Sequence, residues 1–499
     1  GAHPPAALLE RCAALHTDLV ETIYVFGEES HRATWEAVQA LDQASLLRAA
    51  ARLAPLADVE LMHELRAAYR ADRPERPGKL DGVSGRLLYA RETALGWVLI
   101  GSAGDNTYDL PIAFLFDLGG DDTYAGPATS SALDRPVNVV LDLDGNDSYV
   151  GSRAQAAGIA GVSLVVDAQG RDRYGEGRLV QGAGLLGVGT LVDLEGEDVY
   201  QGDVYAQGAG CFGVGVLIDH EGDDQMTSFL YSQGFGSPCS AGVLIDVAGD
   251  DVRQCRGRYG STYGTADEFN AFSQGAGVGF RVLDYTTKKA AGGLGVLLDV
   301  SGDDRSTVGE FGHGVGYFVG TGIARDMAGD DEVHASRYGI ATGAHYGVGI
   351  VLDDAGDDLW RNPYTASIAG NWDLTLSFFL DRAGADTYQA AGIGLGSSTI
   401  TSLACFIDGD GKDSYSMGGS NCFGNAGHSE DVARGSRSLG MFLDLGGDKD
   451  SYPDSSPLTP APGNDLETVR RQTSTHTEGE GESADQRTAE CGNGVFLDE

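Results

Sequence analysis

The feature that most constrains this chain is a phrase it repeats along most of its length. A short apolar run is followed by Asp-x-x-Gly-x-Asp, often with an aromatic residue two places later. The leading Asp falls at Asp117, Asp142, Asp167, Asp193, Asp219, Asp246, Asp299, Asp326, Asp353, Asp381, Asp408 and Asp444. Steps are 25 to 28 residues with two exceptions. The step of 53 before Asp299 spans a copy that has lost its turn near Asp284, and the step of 36 before Asp444 holds an insertion. A period of about 26 is too short for a domain repeat containing helices and suits one coil of a β-solenoid. Runs such as 214–218 and 296–298 are short, β-branched or apolar, and flanked by glycine, which predicts strands. The expected fold is therefore an all-β solenoid resembling a parallel β-helix, with about 13 coils.

Composition divides the chain in the same place. Residues 1–100 carry a net charge of −3 and 6 of the 75 glycines, whereas the other 399 residues carry −37 of the total −40. The first segment has helical spacing at Leu8, Leu9, Cys12, Leu15 and Val20, and again over 35–53 and 59–69. It predicts a small α-helical N-terminal cap over 1–98, since an open solenoid end invites edge pairing. Repeats are expected over 99–452, with a worn first copy at Gly104, Asn106 and Tyr108 and an insertion over 254–291. A Pro/Ser/Thr/Glu-rich stretch over 453–490 reads as a flexible excursion, and 491–499 (with Gly-Val-Phe-Leu-Asp) as a final strand returning to the solenoid. The acidity excludes a nucleic-acid partner held by phosphate neutralisation. No apolar run approaches the ~18 residues of a membrane span.

Two carboxylate phases barely vary. Besides the leading Asp, a second stands five residues on, at Asp122, Asp147, Asp172, Asp198, Asp224, Asp251, Asp304, Asp331, Asp358, Asp386 and Asp413, and one place late at Asp450. The residue between Gly and the second Asp varies freely. Stacked coils turn these phases into two columns, in which like charges ~4.8 Å apart repel by ~3.5 kcal/mol at an effective dielectric near 20. Two devices would offset that. Ca²⁺ takes six to eight oxygens from carboxylates and carbonyls, which makes all 24 of these Asp candidate ligands. Alternatively each Asp caps backbone N–H groups of its own turn, and the leading Asp, following an apolar run, points inward for that purpose. One divalent ion per turn at 12 turns would cancel 24 charges and leave −16.

The segment Gly120-Asp121-Asp122-Thr123-Tyr124 resembles the second half of the RTX calcium β-roll nonapeptide. That motif recurs every nine residues and this one about every 26, so the resemblance implies Ca²⁺ packing for single turns only. Over about 100–452 the unit is also similar to Gly/Asp-rich repeat proteins of exported bacterial type, which have no assigned activity.

Other phases read as structural first. Tyr or Trp stands seven residues after the leading Asp at Tyr124, Tyr149, Tyr174, Tyr200, Trp360, Tyr388 and Tyr415. Such a stripe stacks between coils or contacts sugar rings. It lapses at Met226, Arg253, Ser306 and Val333. Gln181, Gln207, Gln233 and Gln274 open Gln-Gly-x-Gly segments and suggest an amide ladder. Cys211 with Cys239, and Cys405 with Cys422, are at spacings that admit pairing or a stack of thiols. No zinc, phosphate-loop or nucleophile-elbow signature occurs, and the scattered His313, His334, His345 and His428 read as structural. The expectation is a Ca²⁺-stabilised structural or adhesive solenoid in an extracytoplasmic setting (secreted, periplasmic or cell surface), with a homo-oligomer, surface assembly or glycan as its partner. The alternative is a Ca²⁺-dependent polysaccharide lyase or hydrolase, with Arg253, Arg256 and Arg258 beside Asp250 and Asp251 as the place to look.

Overall fold

The computed structural model describes residues 38, 42–68, 80–279, 292–419, 421–427, 437–447, 449–453, 462–463, 466–478 and 485–498. The chain is a β-solenoid of about 11 turns roughly 27 residues apart. It divides into two compact units. The first comprises Gly1–Ser228, Ser232–Ile245 and Gly279–Gly292, and the second Phe229–Tyr231, Asp246–Val278 and Gly293–Glu499. The expected helices over 8–20, Lys288 and Lys289 of the insertion, Cys12, His428 and most of 453–466 lie outside the described residues.

Each coil of either unit has a long strand ending at the leading Asp, a corner made by the Asp-x-x-Gly-x-Asp turn, and a short strand carrying the aromatic phase. In the first unit Val162–Asp167, Val188–Asp193 and Val214–Asp219 pair in parallel, which sets Asp167, Asp193 and Asp219 side by side. In the second unit Leu403–Asp408, Ser438–Asp444 and Asp485–Asp498 do the same, aligning Asp408, Asp444 and Asp498. Side chains of a strand alternate between faces. In Leu294–Asp299 the buried set is Gly295, Leu297 and Asp299, while Leu294, Val296 and Leu298 face outward.

Glycine is required where a loop passes behind the strand. Gly182 has φ +77°, and a Cβ there would lie 1.9 Å from the Val216 carbonyl oxygen. The corner glycines stack on one another, so that a Cβ on Gly222 would meet the Gly196 carbonyl oxygen at 1.7 Å. The glutamines beside these loops do not form an amide ladder. The side-chain N–H₂ of Gln181 donates instead to two backbone carbonyls, Tyr174 (3.1 Å) and Gln201 (3.0 Å). Each Gln thus brackets the short strands of consecutive coils.

The ends of the long sheet differ from the sequence expectation. Strands begin at Val83, inside the segment read as a helical cap, and Leu87–Thr93 folds back antiparallel on Gly96–Gly101. Glu467–Glu478 pairs antiparallel with Asp485–Asp498, so part of the stretch read as flexible is strand. The helices α1 (Gln43–Leu53) and α2 (Val59–Ala68) lie on the outer face of the sheet rather than on its end. Asp42 caps α1 by accepting from the Ser45 N–H at 3.0 Å. Met62, with Leu53, Leu56, Val59 and Leu65, packs on Val139, Leu141, Leu164, Val166 and Val192. Cys405 and Cys422 are free thiols, not a pair, and burial pushes them up to about 11 and about 12.

Candidate metal centre

All but two of the 24 Asp of the two phases are buried; Asp326 and Asp450 are half-buried. Both columns exist, and each Asp uses one oxygen in a repeated way. In the second column, Oδ1 accepts the backbone N–H of the second Asp in the preceding coil. In the first unit Asp122 N–H donates to Asp147 (2.7 Å), Asp147 to Asp172 (2.6 Å) and Asp172 to Asp198 (2.6 Å). In the second unit Asp304 donates to Asp331 (2.8 Å), Asp331 to Asp358 (2.7 Å) and Asp358 to Asp386 (2.7 Å). The chain continues through Asp413 to Asp450. In the leading column the partner is the aromatic phase. The Tyr149 hydroxyl donates to Asp167 Oδ2 (2.6 Å) and Tyr174 to Asp193 Oδ2 (2.6 Å); Tyr388 donates to Asp381 (2.7 Å) and Tyr415 to Asp408 (2.8 Å).

The tyrosines are therefore inside. Tyr149 and Tyr174 stack with centroids 4.7 Å apart, Tyr174 and Tyr200 at 4.6 Å, and all are fully buried. A sugar ring has no access to them. We expect Tyr174→Phe to keep the stack but remove one of the donors to Asp193, at a cost of about 1–3 kcal/mol. Thermal melting in chelator measures it; an unchanged midpoint would mean that the hydroxyl does not hold the carboxylate.

Backbone and tyrosine account for only part of the carboxylate oxygens. Asp147, Asp172 and Asp198 Oδ2, and Asp167 Oδ1, are buried without a hydrogen-bond donor in the first unit. Asp358 and Asp413 Oδ2, with Asp353 and Asp408 Oδ1, are the counterparts in the second. Carboxylate oxygens converge in threes, all within 4.8 Å, in Asp117/Asp122/Asp142, Asp142/Asp147/Asp167 and Asp172/Asp193/Asp198. Each such group joins a leading and a second Asp of one coil to an Asp of a neighbouring coil. This donor set fits a hard divalent cation, which these oxygens would hold.

Burial, and then the neighbouring carboxylates, push these groups up. Asp142 rises to about 7, Asp122 and Asp198 to about 10 and Asp172 to about 12; in the second unit Asp353 rises to about 11 and Asp386 to about 9. Without a cation, one member of such a pair keeps its proton at neutral pH, since two like charges so close do not both ionise.

One coil supplies its own positive charge. Arg253 replaces the tyrosine, is 2% exposed, and lies among Asp246 (3.1 Å), Asp251 (3.7 Å), Asp299 (2.6 Å) and Asp304. Burial is the largest single influence on Asp304 and would raise it, but the Arg253 guanidinium together with hydrogen bonds from Asp299 and the Asp251 N–H holds that carboxyl below its ordinary value. Beside it Ser306 and Val333 are too small to continue the aromatic column, and a cavity of about 20 Å³ opens between Arg253, His313 and Trp360. That is room for about one water molecule. His313 is buried, which with Arg253 nearby lowers it to about 3 and keeps it neutral.

Arg253 is thus sealed in the core and cannot reach a polysaccharide. Arg256 and Arg258 are exposed, but Arg258 lies 3.6 Å over the Phe229 ring and Arg256 donates to Gln254 Oε1 at 3.1 Å. Asp498, at the end of the last strand, aligns with Asp444 in the leading column and accepts from the Tyr452 hydroxyl, a partner that the sequence reading did not assign. The freely varying corner residue is exposed and forms a further ladder where it is Asp, as in Asp330 N–H to Asp303 (2.9 Å) and Asp357 N–H to Asp330 (2.8 Å).

Compared with known proteins, the chain matches no family model, no curated protein and no solved structure. Among the described residues no helix is long and apolar enough to cross a membrane.

Proposed function

We propose that the chain is a structural or adhesive β-solenoid whose buried aspartate columns bind Ca²⁺, at home in an extracytoplasmic setting. The observation that carries this reading is the set of buried carboxylate oxygens with no donor, gathered in threes from consecutive coils. Leaving such groups unsatisfied costs several kcal/mol, so each turn requires a proton or a cation. Arg253 supports the same demand, because where a coil carries a cation of its own, four carboxylates surround it. The extracytoplasmic setting follows from the ion, since weak multi-carboxylate Ca²⁺ modules fill only where the ion is abundant. A structural role follows from where the repeated residues point, which is inward, toward the stack.

Calorimetry at pH 7.5 with 2 mM CaCl₂ against excess chelator tests this proposal. Each ion bound at a hundredfold excess over its Kd adds about 2.7 kcal/mol, so several sites raise the melting temperature by about 10 °C or more. Melting that ignores Ca²⁺ would leave the columns held by protons, backbone and tyrosine alone, and the proposal would be wrong.

A further inference from the structure

The long sheet of the second unit turns an apolar face outward. The outward residues stand one, three and five places before each leading Asp, and parallel pairing aligns them across six strands from Leu294–Asp299 to Ser438–Asp444. The middle column is Val296, Ile323, Ile350, Phe378, Cys405 and Met441. The flanking columns are Leu, Val or Ile except at Thr321 and Arg325. Most of these side chains are half-buried, and Leu294 is 38% exposed. Alongside runs a more open row, Val319, Tyr346 and Leu374, at 44%, 39% and 41%. Six strands about 4.8 Å apart, each five residues long, give a face of roughly 25 Å by 15 Å. That is the size at which an exposed apolar patch marks an interaction site.

The first unit shows what this surface takes. There the strands under α1 and α2 carry Val139, Leu141, Leu164, Val166 and Val192 at the same phases, all 0–3% exposed, whereas Val216 and Val243, farther along the same sheet, are half-buried. Arg66 at the end of α2 meets Glu195 on the corner beyond the strand at 3.9 Å. In the second unit the corners carry exposed Asp303, Asp330 and Asp357. A second copy of the chain would bring its own row of corner aspartates and a formal charge of −40 against them. A helical partner with basic flanks meets both the apolar columns and the acidic corners.

We infer that the outward sheet face of the second unit is a docking surface for a partner protein that presents a pair of short amphipathic α-helices with aliphatic stripes and basic flanks. The aliphatic stripe is that of α1 and α2, and the proposal stands apart from the Ca²⁺ reading, because none of these side chains belongs to the columns. Residues 42–68 carry Asp42, Asp58, Glu60 and Glu64 against Arg48, Arg52 and Arg66, so the probe is a fluorescein-labelled peptide of that segment with the exposed Glu60→Lys and Glu64→Lys substitutions supplying the basic flank, titrated against the full chain in Ca²⁺. Saturable binding is expected, weakened at least tenfold by Ile350→Asp and by Phe378→Asp. Both substitutions face outward, so an unchanged melting profile of the variants shows that the fold is intact. A peptide in which Leu53, Leu56 and Met62 are serine is expected not to bind. Absence of saturable binding overturns the proposal, as does binding that Ile350→Asp leaves intact, which would place the peptide on the first unit. Concentration-dependent dimerisation in sedimentation velocity, abolished by Ile350→Asp, also overturns it by making a second copy the occupant.

Discussion

Replacing Arg253 with Met should destabilise the metal-free protein by about 3–5 kcal/mol at pH 8, the scale for removing one partner of a buried ion pair. The guanidinium lies among Asp246, Asp251, Asp299 and Asp304, with contacts of 3.1, 3.7 and 2.6 Å to the first three and a closer one to Asp304. Met preserves much of the length and fills the space softly, so the loss is one of charge and hydrogen bonds, not of volume. Two features distinguish this result from a simple packing defect. The deficit should shrink toward pH 5, because carboxylates deprived of Arg253 accept protons in its place. It should also shrink in Ca²⁺, with the variant binding one more ion per chain than the parent by equilibrium dialysis and metal analysis. A variant that melts like the parent in chelator at pH 8 would show that Arg253 is not the counter-charge of these coils. If stability falls without gain of an ion, the Ca²⁺ reading of this group of carboxylates fails.

Much of this was legible in the sequence because parallel stacking without stagger makes the chemical repeat and the coil the same length. The phase of Asp167, Asp193 and Asp219 is then also their register, and two invariant phases become two columns without further knowledge. The inward direction of the leading Asp followed from the alternation of the apolar run before it. What the sequence left open was how neighbouring coils satisfy one another. That Tyr149 donates to Asp167, 18 residues on, depends on which side of the corner its ring enters. The choice between metal and backbone proved too sharp, because a carboxylate has two oxygens: Asp147 Oδ1 takes an N–H, while its Oδ2 has none.

Arg253 was visible as a break in the aromatic phase but was read, with Arg256 and Arg258, as the place to look for a lyase or hydrolase site. A charge is buried only when partners are assembled from several coils, and single-coil reasoning does not see them. Where the helices rest was open in the sequence for a related reason. Amphipathic spacing fixes that Met62 and Leu65 are covered, whereas the surface that covers them is set by the outward residues of strands more than 70 positions away. The polar stretch Glu467–Glu478 was read as flexible by composition, yet its Thr-Val and Thr-Ser-Thr segments favour a pleated strand once Asp485–Asp498 offers an edge.

In chelator, stability should fall as pH rises from 5 to 9, the reverse of the usual behaviour of a protein rich in salt-bridged carboxylates. Asp122 and Asp198 at about 10, Asp172 at about 12, Asp353 at about 11 and Asp386 at about 9 all lie above the ~4 of an unfolded chain. A carboxyl raised in this way binds its proton more tightly when folded. Its stabilisation is complete below pH ~4 and is lost as pH climbs toward the folded pKa. Asp304 is shifted in the opposite direction, so its contribution is present above the unfolded value and disappears in acid. Each raised group contributes up to about 1.4 kcal/mol per pH unit to the slope, and several together are enough to unfold a domain of ordinary stability within the range pH 5 to 9. Ca²⁺ reverses the trend, since each ion displaces the shared protons and competes with them less as pH rises. Melting scans at pH 5, 7 and 9, with chelator and with 2 mM CaCl₂, should therefore diverge steadily, and Ca²⁺ addition at pH 7 should release protons into a weakly buffered solution. A melting temperature that rises with pH in chelator would mean that the columns hold ionised carboxylates by other means, and that neither proton nor cation is needed between them.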